Sequence, residues 1–313
     1  MLTTATDELE KTALVPLDKV FASGGAGTIK LGKVASVDPD GRQVVLEGGE
    51  RVAYDALVLG TGSVWPEEFN FPDDAARVPD HLAHWRGQIK AAKSVTIVGG
   101  GAVGIEFAGE IKEFHPDKKV TIVHGADLLL NDTYPTKFRK AFESRLRAKG
   151  VDIIYEDYVE NIPEGPVTSI TTKKGKQIQT DLILPAFGAK PNTSFLPASF
   201  LNQTNHVKVR PTLQTASHDD IFAAGDIIDW HEQKQAAKNA GHAAVVAKNV
   251  KAVLEGQKPT AVYKGSYEII LVTTGGAGYF GVLWGLVFGD WFARMLKSKD
   301  LMLPMSRGFY NYK

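Results

Sequence analysis

Cysteine is absent from the 313 residues. That excludes a disulfide framework, a thiolate metal site, an iron–sulfur cluster and a redox-active Cys-x-x-Cys pair, so any redox chemistry has to come from a bound cofactor. No metal site is expected. An excess of charge of one sign is lacking too, because 36 basic side chains stand against 36 acidic ones. Phosphate backbones are bound by a concentrated surplus of Lys and Arg, so no nucleic-acid partner is expected. Nor does any apolar run reach the roughly 20 residues of a spanning helix. The longest, 275–288 (GGAGYFGVLWGLVF), is broken by glycines and reads as a buried strand and turn. Its alternative is a peripheral membrane contact, since Tyr279, Phe280, Trp284, Trp291 and Phe292 are followed by Arg294, Lys297 and Lys299. Residues 1–10 (MLTTATDELE) have neither the basic nor the apolar region of a secretory signal. The expectation is a cytoplasmic protein, with a membrane or the mitochondrial surface as the alternative.

What is present fits a globular chain of about two domains, with 43% apolar and 23% charged residues. Residues 29–63 read as short strands separated by the turns Asp38-Pro39-Asp40-Gly41 and Gly48-Gly49, ending in an apolar strand, 56–59, that runs into Gly60-Thr61-Gly62. Residues 64–93, rich in Pro and charge, look like a connection between domains. From Ser94 the pattern becomes strand, glycine turn, helix: SVTIV, GGGAVG, IEFAGEIKEF, stopped by His115-Pro116. A second strand follows at 120–123, and 137–149 carries Phe138, Phe142 and Leu146 at helical spacing before a C-capping Gly150. A strand at 151–155, a hairpin turning at 173–176 and an apolar strand at 182–184 come next. A further apolar strand, 221–224, runs into Gly225-Asp226 and precedes a helix over about 233–254.

The motif Gly99-x-Gly101-x-x-Gly104 would mean little alone. Here it follows an apolar strand, opens a helix and leads to a second strand ending at His124, which lies 20 residues past Gly104. In that setting Gly99 permits the tight turn, Gly101 lets the backbone approach a pyrophosphate, and Gly104 lets helix and strand pack closely. The helix N-terminus supplies oriented N–H groups for the phosphates. A second strand of this kind usually ends in Asp or Glu, whose carboxylate binds the ribose 2′-OH and repels a 2′-phosphate. His124 stands there instead, so either NADH or NADPH is admitted. His124 either faces the ribose or merely ends the strand. Glu106, near the start of the helix, either orients a nicotinamide or complements the helix dipole.

GTGS at 60–63, VGGGAVGIEFAGEI at 98–111, FGAKPNT at 187–193 and AAGD at 223–226 together resemble flavoprotein reductases with two dinucleotide-binding domains. Within that group the chain is similar to the apoptosis-inducing-factor-like and ferroptosis-suppressor-like branch, and KNAGHAAVVAKNV at 238–250 and LKSKDL at 296–301 extend the likeness into the tail. The resemblance implies a hydride passed from NADH or NADPH to FAD and electrons passed on to a quinone-like acceptor. It implies that Thr61, Gly62 and Ser63 contact FAD, that Gly225 and Asp226 bind its ribityl and pyrophosphate portion, and that the backbone at Val34 touches its adenine. It further implies an acidic residue near the nicotinamide at Glu106, a cofactor-binding glycine after the last strand of the NAD(P) domain at Gly188, and a lysine near flavin and acceptor at Lys297. The missing cysteines separate the chain from the disulfide reductases of the same fold.

One departure stands out. Such flavoproteins begin with an FAD-binding strand, glycine turn and helix, and no such unit occurs before residue 11. The expected fold class is therefore α/β, with two Rossmann-like domains of which the FAD domain is incomplete, and a small C-terminal α+β region. The expected boundaries are 1–85 and 193–255 for the two parts of the FAD domain, 86–192 for the NAD(P) domain and 256–313 for the C-terminal region. The expected activity is that of a flavin-dependent, quinone-reductase-like oxidoreductase, either intact or as a fragment or incomplete gene product. A redox-inactive NAD(P)-binding regulatory module is the alternative.

Overall fold

The computed structural model describes residues 2–3, 12–21, 27–275, 278–281, 287–288 and 302–312, with side chains excluded at 278–281 and 287–288. Contacts divide the chain into two compact units: Met1–Ile29, Pro66–Gly188 and Ile269–Lys313 in one, Lys30–Trp65 and Ala189–Glu268 in the other.

The first unit is built on a four-stranded parallel sheet in the order Leu182–Pro185, Ser94–Val98, Lys119–Val123, Val151–Ile154. Its strands are nearly continuous apolar runs because helices cover parallel sheets on both faces. Leu184, Ile97, Ile122 and Ile153 lie in register across the four strands. The helix Ala102–Phe114 connects the first two strands in sequence and buries Ile105, Ala108 and Ile111. The helix Thr136–Ala148 buries Phe138, Phe142 and Leu146, the three residues picked out by spacing, and Gly150 follows it at φ 79°. A hairpin, Ser169–Thr171 with Gln177–Gln179, sets Ile170 against Ile178 in a smaller core beside Val98 and Val123.

Residues 64–93 differ from the connection that their composition suggests. They contain a helix, Val78–Ala91, whose Leu82 and Ile89 are buried. Polar residues dominate it because only a narrow stripe faces the core, and the helix lies in the Pro66–Gly188 stretch of the first unit. The strand Ile270–Thr273 packs into the first unit's core through Val272 and starts an antiparallel meander with Gly278–Gly281 and Val287–Phe288. A short helix, Leu303–Phe309, follows, and its Arg307 donates to the Thr12 carbonyl. The membrane alternative rests mainly on Trp284, Trp291, Phe292 and the basic residues after them, which lie outside the described residues, as does Lys297. Among the described residues no helix is long and apolar enough to cross a membrane.

The second unit joins a three-stranded antiparallel sheet, Val34–Asp38, Gln43–Leu46 and Arg51–Ala53, to a parallel pair, Leu57–Leu59 with Ile221–Ala223. The Asp38–Gly41 turn forms as expected, its Gly41 N–H donating to Asp38 Oδ1 at 3.0 Å. The helix Asn239–Leu254 buries His242, Val246 and Asn249 and starts later than expected, because Ala236–Lys238 forms a separate 3₁₀ turn. Its core centres on Phe200, Val207, Leu213, Phe222 and Ile228.

Candidate functional site

In the first unit three sheet strands converge on the glycine turn, and each glycine answers a different demand. Gly99 has φ 115° and donates to the Val123 carbonyl at 2.8 Å, while a Cβ there would lie 2.4 Å from the Ala186 carbonyl oxygen. A Cβ on Gly104 would lie 2.0 Å from the Gly99 oxygen, so this glycine lets the helix sit directly on the turn. Gly101 differs, with an ordinary φ of −75° and nothing within 4 Å of the place a Cβ would take. Neither conformation nor internal packing requires it; the space it leaves opens beside the N-terminus of a 13-residue helix that has no side-chain cap. Uncapped N–H groups next to empty space form a cradle for an anion.

That cradle lies in a cleft of about 580 Å³ lined by Gly99, Gly101, His124, Tyr158, Phe187 and Gly188 among others. The structure thus brings together four of the expected positions, Gly99, Gly101, His124 and Gly188. His124 turns inward: Nδ1 accepts from the Gly100 N–H at 3.1 Å and Nε2 lies 3.4 Å from the Leu130 carbonyl. Burial holds its pKa below the ordinary histidine value, and the Gly100 bond places the proton of the neutral ring on Nε2. Among the described residues the one carboxylate in the lining, Asp157, is itself buried and accepts from the N–H groups of Tyr158 and Lys174. Burial alone would raise its pKa, but bonds from Thr172, Lys174 and Tyr158 outweigh burial and hold it below the usual carboxylate value.

Glu106 is not in that lining. Its Oε1 accepts from both the N–H and the hydroxyl of Thr273, at 3.0 and 3.1 Å. One turn along the same helix, a Cβ on Gly109 would lie 2.4 Å from the Thr274 Cα. The glycine-turn helix is thereby fastened to the Ile270–Thr273 strand by a carboxylate and by close backbone packing.

In the second unit the two parallel strands end side by side in glycine turns, which brings Thr61, Gly62 and Ser63 together with Gly225 and Asp226. Ser63 Oγ donates to Asp226 Oδ2 at 2.8 Å. Thr61 Oγ1 donates to the Asn192 carbonyl at 2.6 Å, and the Asn192 N–H donates to the Gly62 carbonyl. Gly62 and Gly225 have φ 67° and 78°, so the left-handed turns need glycine. Val34 belongs to the separate antiparallel sheet, opposite Leu46. Behind Gly225 lies a buried polar line that motif reading misses. The Gly225 N–H donates to His242 Nδ1 at 3.1 Å, His242 Nε2 lies 2.9 Å from Glu232 Oε1, and Tyr263 donates to Glu232 Oε2 at 2.8 Å. Burial lowers the His242 pKa, and it is the largest influence pushing that of Tyr263 up to about 12. Tyr158 and Thr273 were missed as well. A lone tyrosine after a third strand and a threonine 167 residues from Glu106 carry no motif. His242 had a faint signal, as a histidine on the small-residue helix that follows Gly-Asp. Among the described residues no group of His, Asp and Glu is arranged to hold a metal.

The pyridine nucleotide-disulphide oxidoreductase family matches residues 3–244. FAD-dependent oxidoreductase FVFD30 of Flammulina velutipes is 45% identical over 98% of this chain and 98% of its own length. Mouse ferroptosis suppressor protein 1 is 30% identical over 92% of this chain and 81% of its own, and apoptosis-inducing factor homolog B of Dictyostelium discoideum is 30% identical over 95% and 83%. Among solved structures, a ferredoxin reductase from Rhodopseudomonas palustris superposes with a TM-score of 0.67 at 20% identity, covering 85% of this chain and 67% of that one. A match over more than three quarters of the residues makes this chain a member of the pyridine nucleotide-disulphide oxidoreductase family.

Proposed function

We propose that the chain is a flavin-dependent NAD(P)H oxidoreductase that delivers electrons to a quinone-type acceptor. The observation that carries the nucleotide part is Gly101, a glycine with no internal reason to be one, open beside an uncapped helix N-terminus. A dinucleotide pyrophosphate fits that cradle. The flavin part rests on the second unit, where left-handed glycine turns and the Ser63–Asp226 pair present a half-buried carboxylate at two parallel strand ends. Such an acid suits the hydroxyls of a ribityl chain. A relative named as FAD-dependent, spanned over 98% of its length, supports the same cofactor for a chain of this extent. The quinone-type acceptor is supported by similarity to the ferroptosis suppressor proteins and by the absence of any cysteine pair to reduce.

When bound, FAD accepts a hydride and releases electrons singly or in pairs. The chain's own part is positional. The glycine turn would hold the dinucleotide by its phosphates, Gly188 and Phe187 would line its path, and Asp226 would fix the ribityl chain. Glu106 would bear on the nicotinamide from a carboxylate kept in place by Thr273. Among the described residues the lining's one carboxylate, Asp157, is taken up by the Tyr158 and Lys174 N–H groups rather than placed to bind a ribose, so both NADH and NADPH are admitted. The test is to reconstitute the purified chain with FAD and record the flavin band at about 450 nm. Bleaching of that band by NADH or NADPH without oxygen, and its return on adding a soluble quinone, is the expected result. A chain that takes up no flavin, or whose flavin is not bleached, refutes the proposal.

A further inference from the structure

In most dinucleotide sites of this fold the second strand ends in the acid that binds the adenosine ribose. Here that strand ends in His124-Gly125, and His124 spends its nitrogens on Gly100 and Leu130. The space beside Gly125 is taken by another residue. Tyr158, from the segment after the third strand, lays its ring against Gly125 so closely that a Cβ there would lie 2.2 Å from Tyr158 Cε1 and 2.5 Å from Cζ. The hydroxyl donates to the Gly125 carbonyl at 3.2 Å. The backbone is pinned on both sides: the Tyr158 N–H donates to buried Asp157, and the Tyr158 carbonyl accepts from the Lys173 N–H at 2.7 Å. Despite these restraints the residue is 56% exposed, and it lines the cleft. An aromatic ring held in one orientation, with much of its surface presented to a dinucleotide cleft, has little freedom left to lose when a flat ligand covers it.

We propose that Tyr158 is the adenine platform of this cleft, binding the adenosine half of NAD(P)H by stacking where related sites use a carboxylate. The inference rests on the reading of the cleft as an NAD(P)H site. It assigns Gly125 a role as well: this residue is glycine because the ring needs its place. Stacking of a base on an aromatic side chain is tolerant of what the ribose carries, so the platform serves NADH and NADPH alike.

The test is calorimetric titration of the full chain with ADP-ribose and, separately, with reduced nicotinamide mononucleotide, which lacks the adenosine half. In Tyr158→Ala the dissociation constant for ADP-ribose is expected to rise about tenfold, within the range for loss of a base–aromatic stack, while that for the mononucleotide stays at the wild-type value. Tyr158→Phe keeps the ring and is expected to stay within about threefold of wild type for both ligands, because only the hydroxyl anchor is lost. Wild-type affinity for ADP-ribose in Tyr158→Ala overturns the proposal, and so does an equal loss for both ligands, which marks general damage to the cleft. Failure of the wild-type chain to bind ADP-ribose overturns the cleft assignment itself and the platform with it. Should the alanine variant not fold, Tyr158→Leu carries the same comparison, with unchanged ADP-ribose affinity again decisive against stacking.

Discussion

Two of the motif glycines, Gly101 and Gly104, make opposite predictions for the same one-methyl change. At Gly101 the backbone has φ −75° and a Cβ meets nothing within 4 Å. Replacing glycine by alanine where the conformation is compatible stabilises by about 0.4–1 kcal/mol through the unfolded chain, and alanine is a poorer N-cap than glycine by roughly 0.5–1 kcal/mol. The two nearly cancel, so Gly101→Ala should melt within about 2 °C of wild type. Its methyl, however, stands in the cradle, where the pyrophosphate must come close to the backbone. A displacement costing about 1.4–2.8 kcal/mol raises the dissociation constant for NADH about 10- to 100-fold. At Gly104 the methyl would lie 2.0 Å from the Gly99 carbonyl oxygen. Rigid backbone cannot yield cheaply, so Gly104→Ala should lose about 1–3 kcal/mol of stability or more. Differential scanning calorimetry and NADH titration on both variants separate the roles. Normal NADH affinity in a folded Gly101→Ala protein would falsify the phosphate-cradle assignment, and a destabilisation equal to that of Gly104→Ala would show that packing, not ligand, explains the glycine.

Replacing Glu106 with Gln leaves an acceptor for Thr273 but removes the charge, so single-turnover reduction of the flavin by NADH should slow while the melting temperature shifts by no more than a few degrees; an unchanged rate sinks the nicotinamide role. Because Asp157 is committed to donors of the protein and no other acid lines the cleft among the described residues, kcat/KM for NADH and NADPH should agree within about tenfold, equivalent to about 1.4 kcal/mol, and a preference of a hundredfold either way contradicts this account. For pH, burial depresses the folded-state pKa of His124 and of His242. Protonation therefore favours the unfolded chain, and the stability these residues contribute is present above the unfolded value of about 6.5 and is lost as pH falls through and below it. Urea midpoints should drop between pH 7 and 5.5, and His242→Phe, which cannot take up that proton, should lower the midpoint at pH 7 and flatten the slope; an unaltered slope refutes the assignment to His242.

How much could be read from residues alone follows from the range of the interactions involved. The parallel sheet, the two crossover helices and the Gly99–Gly104 turn are local patterns: apolar runs, 3.6-residue spacing and glycines at fixed offsets, all within about thirty residues. The helix Val78–Ala91 was hidden because a surface helix buries only a stripe, here Leu82 and Ile89, and its charge content resembles that of a linker. Contacts made by tertiary closure leave no local trace at all. Glu106 meets Thr273 across 167 positions and Ser63 meets Asp226 across 163, so sequence offered alternatives for Glu106 that only packing could narrow. The same reasoning applies to two histidines that solve one problem in two places. A glycine turn at the end of a buried strand points an N–H into the protein, where an unpaired donor costs about 1–3 kcal/mol. In the first unit Gly100 gives its N–H to His124 Nδ1, and in the second Gly225 gives its N–H to His242 Nδ1, each at 3.1 Å. A neutral imidazole suits this task because one nitrogen accepts while the other can still donate, to the Leu130 carbonyl in one case and the Glu232 carboxylate in the other. His124 thus has a reason to occupy the strand end that does not depend on touching a ribose, and its place at the position of the usual acid follows from the turn it supports.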